Sequence, residues 1–494
     1  MLFNSVEFIF GFTPLVLLGF FMLARWSQTV ALGWLTLASL GFYCWWNMAW
    51  LPLLLASIAF NFALGVQLAQ GRGDAVRRRW LLLGIAVNLA LLLHYKYAGF
   101  LVENAAAMLR SSRPAPALDL PLGISFFTFT QIAFLVDVYR RQAADLSPVR
   151  YGLFVTYFPH LIAGPILHHR DLMPQFVRAD IFRVDATRLA GGLTLFLLGL
   201  FKKVVLADRL AVLANPAFGA AATQDLGFFE SWGAALAYTL QLYFDFSGYS
   251  DMAIGLALMI GVTLPLNFHS PYKARDIADF WRRWHMTLSR FLRDYLYIPL
   301  GGNRRGPARR HVNLLVTMLL GGAWHGAGWT FIVWGALHGA YLVVHDLWRQ
   351  RPGRAAGGCG WELPNWLAWL LTFVCVAVAW VFFRAPDLPS AWSLLRGMAG
   401  LNGSQLPYQL IDLLPPLSWI ADGVGKVPFL GDGTVMGAVE LALLVALGLA
   451  LVTRAPAMHE VRPRTRTLLL VPCAALALQQ VLYGRASEFL YFQF

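Results

Sequence analysis

Twelve apolar stretches run the length of the chain, near 8–24, 30–46, 50–69, 80–102, 120–138, 150–167, 188–207, 230–262, 311–345, 366–384, 434–453 and 466–483. In a bilayer every backbone N–H and C=O must be satisfied internally, so only helices and closed barrels can cross it. A spanning helix takes about 20 residues, and a barrel strand only about 10 with alternation. These runs are too long and too evenly apolar for strands. The expected fold class is an all-α polytopic membrane protein with roughly 10–13 membrane-embedded helices. They would form one integral membrane domain over residues 1–494. Several runs contain Gly, Pro or charge and are expected as broken or re-entrant.

Composition closes off the soluble alternative. Only 13% of residues are charged and 58% are hydrophobic, where soluble domains carry roughly 25% charge. A soluble protein that apolar would expose patches it could not cover. The 39 Lys and Arg outnumber the 26 Asp and Glu, and the basic residues punctuate the apolar runs. Arg72, Arg77, Arg78 and Arg79 form one group, Arg140 and Arg141 a second, and Arg304, Arg305, Arg309 and Arg310 a third. Short Arg-rich turns between spans read as cytoplasmic. With the N-terminus outside, the first two groups both fall inside. Nucleic acid is excluded as a partner, because no soluble fold remains to present such a surface.

The run from Phe8 to Ala24 has no basic region before it and no small-residue cleavage site after it, so it is expected as a permanent span. The closing Ser487–Phe494 segment reads as native sequence. The four cysteines, Cys44, Cys359, Cys375 and Cys473, form no CxxC pair and are expected as packing residues. Residues 352–364 are expected as a loop, and 385–432, rich in Pro, Gly and Asp, as an extramembrane cap. No internal repeat is visible, which removes the best sequence signature of an inverted-repeat transporter.

Ionisable residues inside a bilayer are costly and mark candidate sites. Foremost is Gly321–Gly322–Ala323–Trp324–His325–Gly326–Ala327–Gly328–Trp329 within the 311–345 run. On one continuous helix His325 would lie about 20 Å from one end and about 30 Å from the other. A lone membrane histidine is often an interhelical hydrogen-bonding residue. Here the glycines permit close approach, and Trp324 and Trp329 would supply flat walls. Dry surroundings favour the neutral imidazole, the form able to accept a proton.

The second segment is Asp279 to Tyr297. On a helix Trp281, His285 and Ser289 share one face. An interfacial amphipathic helix would explain its arginines but not that face. The following Pro299–Leu300–Gly301–Gly302–Asn303–Arg304 is expected as a turn whose amides and cations suit an anion. The third segment, Tyr243 to Asp251, carries Asp245, Ser247, Tyr249 and Asp251 at bilayer depth, as a structural polar network or as substrate contacts. In the fourth, Pro159 and Pro165 flank His160 and argue for a broken helix. His168–His169 and the pair His338 and His345 lack metal-ligand spacing, and no metal is expected. No HExxH, GxSxG, P-loop or dinucleotide fingerprint occurs.

Taken in order, these residues resemble the membrane-bound O-acyltransferase family and, within it, the bacterial alginate O-acetylase branch. The likeness runs from Leu2–Phe3–Asn4–Ser5 through Leu122–Gly123–Ile124–Ser125–Phe126, Pro159–His160 to Pro165, Asp245 to Asp251, Trp284–His285 and Trp324–His325–Gly326. It ends with Trp380–Val381–Phe382–Phe383–Arg384–Ala385 and the closing Phe489–Phe494. The resemblance implies a helical shell thinned by a central tunnel, where donor and acceptor meet from opposite sides. It implies a near-invariant histidine, matched by His325, and a polar residue forty positions earlier, matched by His285. His338 is a rival for the first role without the Trp-His-Gly setting.

The resemblance therefore implies His325 as general base towards an acceptor hydroxyl. His285 would donate to the oxyanion or orient the acceptor. Trp284, Ser289, Arg293, Asp294, Asn303, Arg304, Trp324 and Trp329 would line the tunnel, with Asp245, Ser247, Tyr249 and Asp251. The donor substrate would be acetyl-CoA or another acetyl thioester, with no tightly bound cofactor and with Arg293 and Arg304 near the phosphates. A periplasmic acetyltransferase and a polysaccharide biosynthesis and export complex are the implied partners, in a bacterial inner membrane. The acceptor would be alginate or a similar exopolysaccharide, with cellulose or peptidoglycan as alternatives. A transporter or flippase of an acyl or glycan precursor is the rival of another class, and a non-catalytic scaffold for polysaccharide export is another.

Overall fold

A computed structural model of the chain describes all residues except 71–72, 112–115, 117, 144, 351–362, 405–434, 457–459, 461–462, 485 and 491–494. The described residues are helical and turn structure, with no strand among them. Five helical stretches among them are long and apolar enough to cross a membrane: Glu7–Ala24, Met48–Ala69, Asp74–Leu109, Ala186–Ala220 and Asn365–Arg384. Shorter apolar helices follow at Ile124–Tyr139, Ala442–Arg454 and Leu468–Tyr483. Two compact units divide the chain. The first holds Met1–Phe201, Gly248–Leu266 and Thr467–Phe494, and the second Lys202–Ser247 and Asn267–Arg466.

The first unit is built on α1 (Thr13–Ala24), α2 (Gln28–Cys44), α3 (Leu51–Ala69), α4 (Asp74–Leu92), α5 (Ala98–Leu109), α6 (Ile124–Tyr139), α7 (Pro148–Thr156), α8 (His169–Leu172) and α9 (Ala186–Phe201). Apolar packing alone discriminates weakly between helix partners in lipid, so hydrogen bonds and small residues set the pairings. Asn61 of α3 and Asn88 of α4 exchange amide hydrogen bonds at 3.3 and 2.7 Å. Gln131 of α6 donates to Ser57 Oγ of α3 at 2.9 Å. Arg77 is buried, and its guanidinium donates to Leu68 O at 3.0 Å and Tyr139 O at 2.6 Å. These carbonyls belong to the last turns of α3 and α6, which otherwise lack helical partners. One arginine thus caps both helices and puts their Arg-bearing ends on one side of the unit. After α7 the chain leaves helix at Tyr157, through the Pro159–Pro165 segment, as those prolines predict.

The second unit contains α10 (Asp208–Ala220), α12 (Ile277–Arg283), α13 (Met286–Leu292), α14 (Pro307–His325), α15 (Trp329–Arg349), α16 (Asn365–Arg384), α17 (Leu388–Met398) and α18 (Val435–Arg454). Helix α11 (Phe228–Ile260) contributes to both units, and α19 (Pro463–Tyr483) runs mainly in the first. The glycine-containing run 311–345 is not one continuous helix. The chain turns at residues 326–328 into two helices of 19 and 21 residues, each about 30 Å long. A continuous helix over that run would exceed 50 Å, well beyond the roughly 30 Å hydrocarbon core. Glycine makes the hairpin tight: a Cβ on Gly322 would sit 2.3 Å from Phe331 O, and one on Gly335 2.4 Å from Met318 O.

Of the expected cap at 385–432, the described part is residues 385–404. It includes α17, whose N-terminus Asp387 caps by accepting from Ser390 N at 2.8 Å. The Ser390 hydroxyl, which also donates to it, and then that backbone bond hold the Asp387 carboxyl below its usual range. The rest of the cap, and residues 352–362 of the expected loop, lie outside the described residues.

Candidate active site

The segment expected as one helix from Asp279 is broken at its centre. Helix α12 ends at Arg283, Trp284 is extended (φ −98°, ψ 130°), and His285 is left-handed (φ 42°, ψ 53°). Trp281, His285 and Ser289 therefore do not share a helical face. The break has a tertiary cause. Residues 267–269 lie alongside it, with Met286 N donating to Asn267 O and His269 N to Arg283 O, both at 2.9 Å. The Asn267 side chain caps α13, its Oδ1 accepting from Thr287 N at 3.3 Å and Thr287 Oγ1 at 2.9 Å. His285 Nδ1 lies 3.0 Å from the same oxygen. A left-handed non-glycine residue costs about 1–2 kcal/mol and persists only where its surroundings over-determine it.

His285 is fully buried and His325 4% exposed. Their ring centroids lie 6.5 Å apart. His325 is the last residue of α14, at the hairpin turn rather than in mid-helix. Trp324, Trp334 and Phe383 surround its ring, with centroids at 4.9, 5.1 and 5.1 Å. Phe246 meets His285 edge-on at 4.7 Å, and Phe268 stacks on it at 6.4 Å. Trp380 stacks on Trp334 at 5.7 Å and packs against Trp284 at 5.0 Å. The Trp380–Phe383 motif is thus part of the wall around the histidines.

His338 is buried too, but its chemistry differs. Trp281 Nε1, which can only donate, points at His338 Nδ1 at 3.3 Å. The neutral ring then carries its proton on Nε2 and has no lone pair left to act as a base. His338 packs between Trp334 at 4.9 Å and Trp281 at 5.2 Å, so it is a wall of the aromatic cluster.

A cavity of about 640 Å³ opens beside α13, lined by Trp281, Arg282, Ser289, Arg293, Tyr297, Arg310, Thr317, His345, Asp346, Arg349 and others. Ser289 N donates to His285 O at 3.0 Å, so this cavity begins one helical turn from His285. Four arginines line it against one aspartate. That aspartate, Asp346, already binds Arg310, His311 Nε2 at 2.9 Å and Gln350 at 2.6 Å. Arg282 also pairs with Asp279 at 3.6 Å and Arg293 with Asp294 at 2.8 Å, so the cavity keeps a modest cationic excess, suited to a phosphorylated ligand.

The remaining candidate residues divide. Arg293 and Ser289 line the cavity, while Asp294 pairs with Arg293 at 2.8 Å. Asn303 and Arg304 are exposed on the turn after α13 and are not among the cavity's lining residues. Trp324 lies against His325, whereas Trp329 is half exposed at the start of α15. Asp245 is held by Lys203 at 2.6 Å, and the same ammonium meets Asp208 at 2.9 Å. This is an ion triad of the second unit, with Lys203 and Asp245 buried and Asp208 partly exposed. Ser247 is buried on α11 and Asp251 half-buried. In the first unit, Tyr249 stacks on Phe3 at 4.8 Å and meets Phe489 at 4.8 Å. Asn267 and Trp334 carry no charge and belong to none of the motifs that mark candidate sites in the sequence.

Apolar helices, a pair of buried histidines and a cationic cavity beside them together define a class: an integral membrane acyltransferase. The chain belongs to the membrane-bound O-acyltransferase family, whose model matches residues 44–355. It is 46% identical over 433 residues to a "Peptidoglycan O-acetyltransferase" of Helicobacter pylori, covering 82% of this chain and 81% of the relative. It is 43% identical over 415 residues to a "Probable alginate O-acetylase" of Pseudomonas aeruginosa, covering 82% and 76%. A "Teichoic acid D-alanyltransferase" of Streptococcus thermophilus is 29% identical over 239 residues, 47% of this chain and 58% of that one. The chain is a multi-pass membrane O-acyltransferase.

Proposed function

We propose that this chain takes an acetyl group from a cytoplasmic thioester and delivers it across the membrane for O-acetylation of an extracytoplasmic polysaccharide. The observation that carries this reading is the meeting of His285 and His325, forty positions apart in sequence, at 6.5 Å in an aromatic shell. At that spacing one imidazole can take the proton of an acceptor hydroxyl while the other reaches the carbonyl oxygen. The hydroxyl oxygen forms a bond to the acetyl carbon, the C–S bond breaks, and the thiolate leaves to be protonated as free thiol. General-base help of this kind is worth about 10²–10⁴ in rate, and a fixed donor to the oxyanion about 10²–10³.

The donor is acetyl-CoA or a related thioester. Arg282, Arg293 and Arg349 in the 640 Å³ cavity support this, since they offer cations to phosphates one turn from His285. Arg77, capping α3 and α6 together, supports a common cytoplasmic side for the Arg77–Arg79 and Arg140–Arg141 ends, and hence placement in a bacterial inner membrane. The names of the relatives support a cell-envelope glycan as acceptor, either an exopolysaccharide such as alginate or peptidoglycan. The acetyl group reaches it through a periplasmic partner acetyltransferase whose hydroxyl is the immediate acceptor.

The test is thiol release from acetyl-CoA by the purified chain with an acceptor hydroxyl supplied, and acetyl content measured on exopolysaccharide and peptidoglycan from cells with and without the chain. A transporter of a glycan precursor releases no thiol. Loss of acetyl from neither glycan would remove the proposed acceptors.

A further inference from the structure

Resting on the acetyl-transfer reading, the bonds around Asn267 decide how the two histidines divide their work. We propose that His285 is the proton-accepting member of the pair, and that Asn267 is the positioning residue that makes it so.

A backbone N–H can only donate, so the side-chain atom of Asn267 facing Thr287 N at 3.3 Å must be the amide oxygen. The Thr287 hydroxyl, at 2.9 Å, agrees with that orientation. His285 Nδ1 lies 3.0 Å from the same oxygen, and an oxygen acceptor requires a proton on Nδ1. In the neutral ring the lone pair is then on Nε2. A base whose second ring nitrogen is oriented by a third group is the general arrangement that activates a hydroxyl. His285 so held cannot donate to an oxyanion while neutral, which leaves carbonyl polarisation to His325. This reverses the roles implied by resemblance. The left-handed backbone of His285 fits a ring fixed at both ends, by Asn267 at Nδ1 and by α13 starting at the next residue.

In the proposed step the acceptor O–H proton passes to Nε2 as the C–O bond forms. The C–S bond then breaks and the thiolate takes the proton back from the imidazolium, so charge and protons balance.

Histidine labelled with ¹⁵N in the full chain, in lipid nanodiscs, reads the tautomer directly, with the His285 signals identified by their loss in H285Q. The expected result is a protonated Nδ1 and an unprotonated Nε2; the opposite tautomer overturns the proposal. For kinetics, N267D keeps the acceptor oxygen and the α13 cap, and N267L removes both. N267L is expected to lower kcat about 10²-fold with KM for acetyl-CoA unchanged, and N267D to restore kcat. An N267L protein with wild-type kcat overturns the proposal, as does a folded N267D that keeps the tautomer but is as slow as N267L. Should N267L fail to fold, the tautomer and N267D still decide. Absence of thiol release from the wild-type chain with an acceptor hydroxyl supplied would count against acetyl transfer itself, while the ¹⁵N result tests the tautomer regardless.

Discussion

The rings of His285 and His325 lie 6.5 Å apart, one at the break between two short helices and the other at the tip of a helical hairpin. Both positions are interruptions of helix. An imidazole on a continuous helix projects from its flank, whereas these two are carried by chain ends packed toward each other within one unit.

Replacing His285 by Ala should lower kcat by about 10²–10⁴ and leave KM for the acetyl thioester within a few-fold. Steady-state thiol release at equal protein levels measures this. A change confined to KM would move His285 to a substrate-binding role.

The cavity arginines should act on the phosphates of the donor. R282Q, R293Q and R349Q are each expected to raise KM for acetyl-CoA about 10- to 150-fold, the loss of one charge-assisted hydrogen bond. They should leave transfer from a short acetyl thioester without phosphates unchanged. Equal effects on both donors would mean that the cavity does not hold the nucleotide end.

Lys203 lies between Asp245 and Asp208, and its side chain is only 2% exposed. Removing one partner of a buried pair leaves an uncompensated charge, at about 3–5 kcal/mol. K203M should therefore unfold at much lower temperature in detergent, and the triple variant K203M/D208N/D245N should recover most of the loss. A triple variant that is stable and active would make the triad structural; a stable but inactive one would restore Asp245 to substrate contact.

The hairpin of α14 and α15 depends on residues without a side chain. G335V is expected to separate the helices and displace His325, since even a Cβ would lie 2.4 Å from Met318 O. Overpacking of this kind costs about 1–3 kcal/mol or more. Thermal unfolding and thiol release should fall together; a stable, fully active G335V would show that the close approach is dispensable.

Length and polarity patterns made the helical membrane class legible, because lipid leaves a chain so few options. Run 366–384 matches α16 almost to the residue for that reason. The breaks were less legible. Glycines at 326 and 328 hinted at the hairpin turn, yet an apolar run of 35 residues reads as one helix until its length is set against the bilayer. At Trp284–His285 nothing in the local sequence announces a break, since neither Gly nor Pro is present; the cause, Asn267, lies 18 positions away. Asp245 stands out in the sequence as a charge inside an apolar run, but its partner Lys203 is 42 positions distant. Sequence spacing marks which residues need partners and leaves open which partners they take.

The most direct test of the account is acetyl-CoA-dependent thiol release by the purified chain in lipid nanodiscs, compared with H325A at equal folded amounts. The account predicts turnover by the wild-type protein with an acceptor present and a loss of about 10²–10³ in H325A, the scale of a missing oxyanion donor. Wild-type turnover retained in H325A would contradict it.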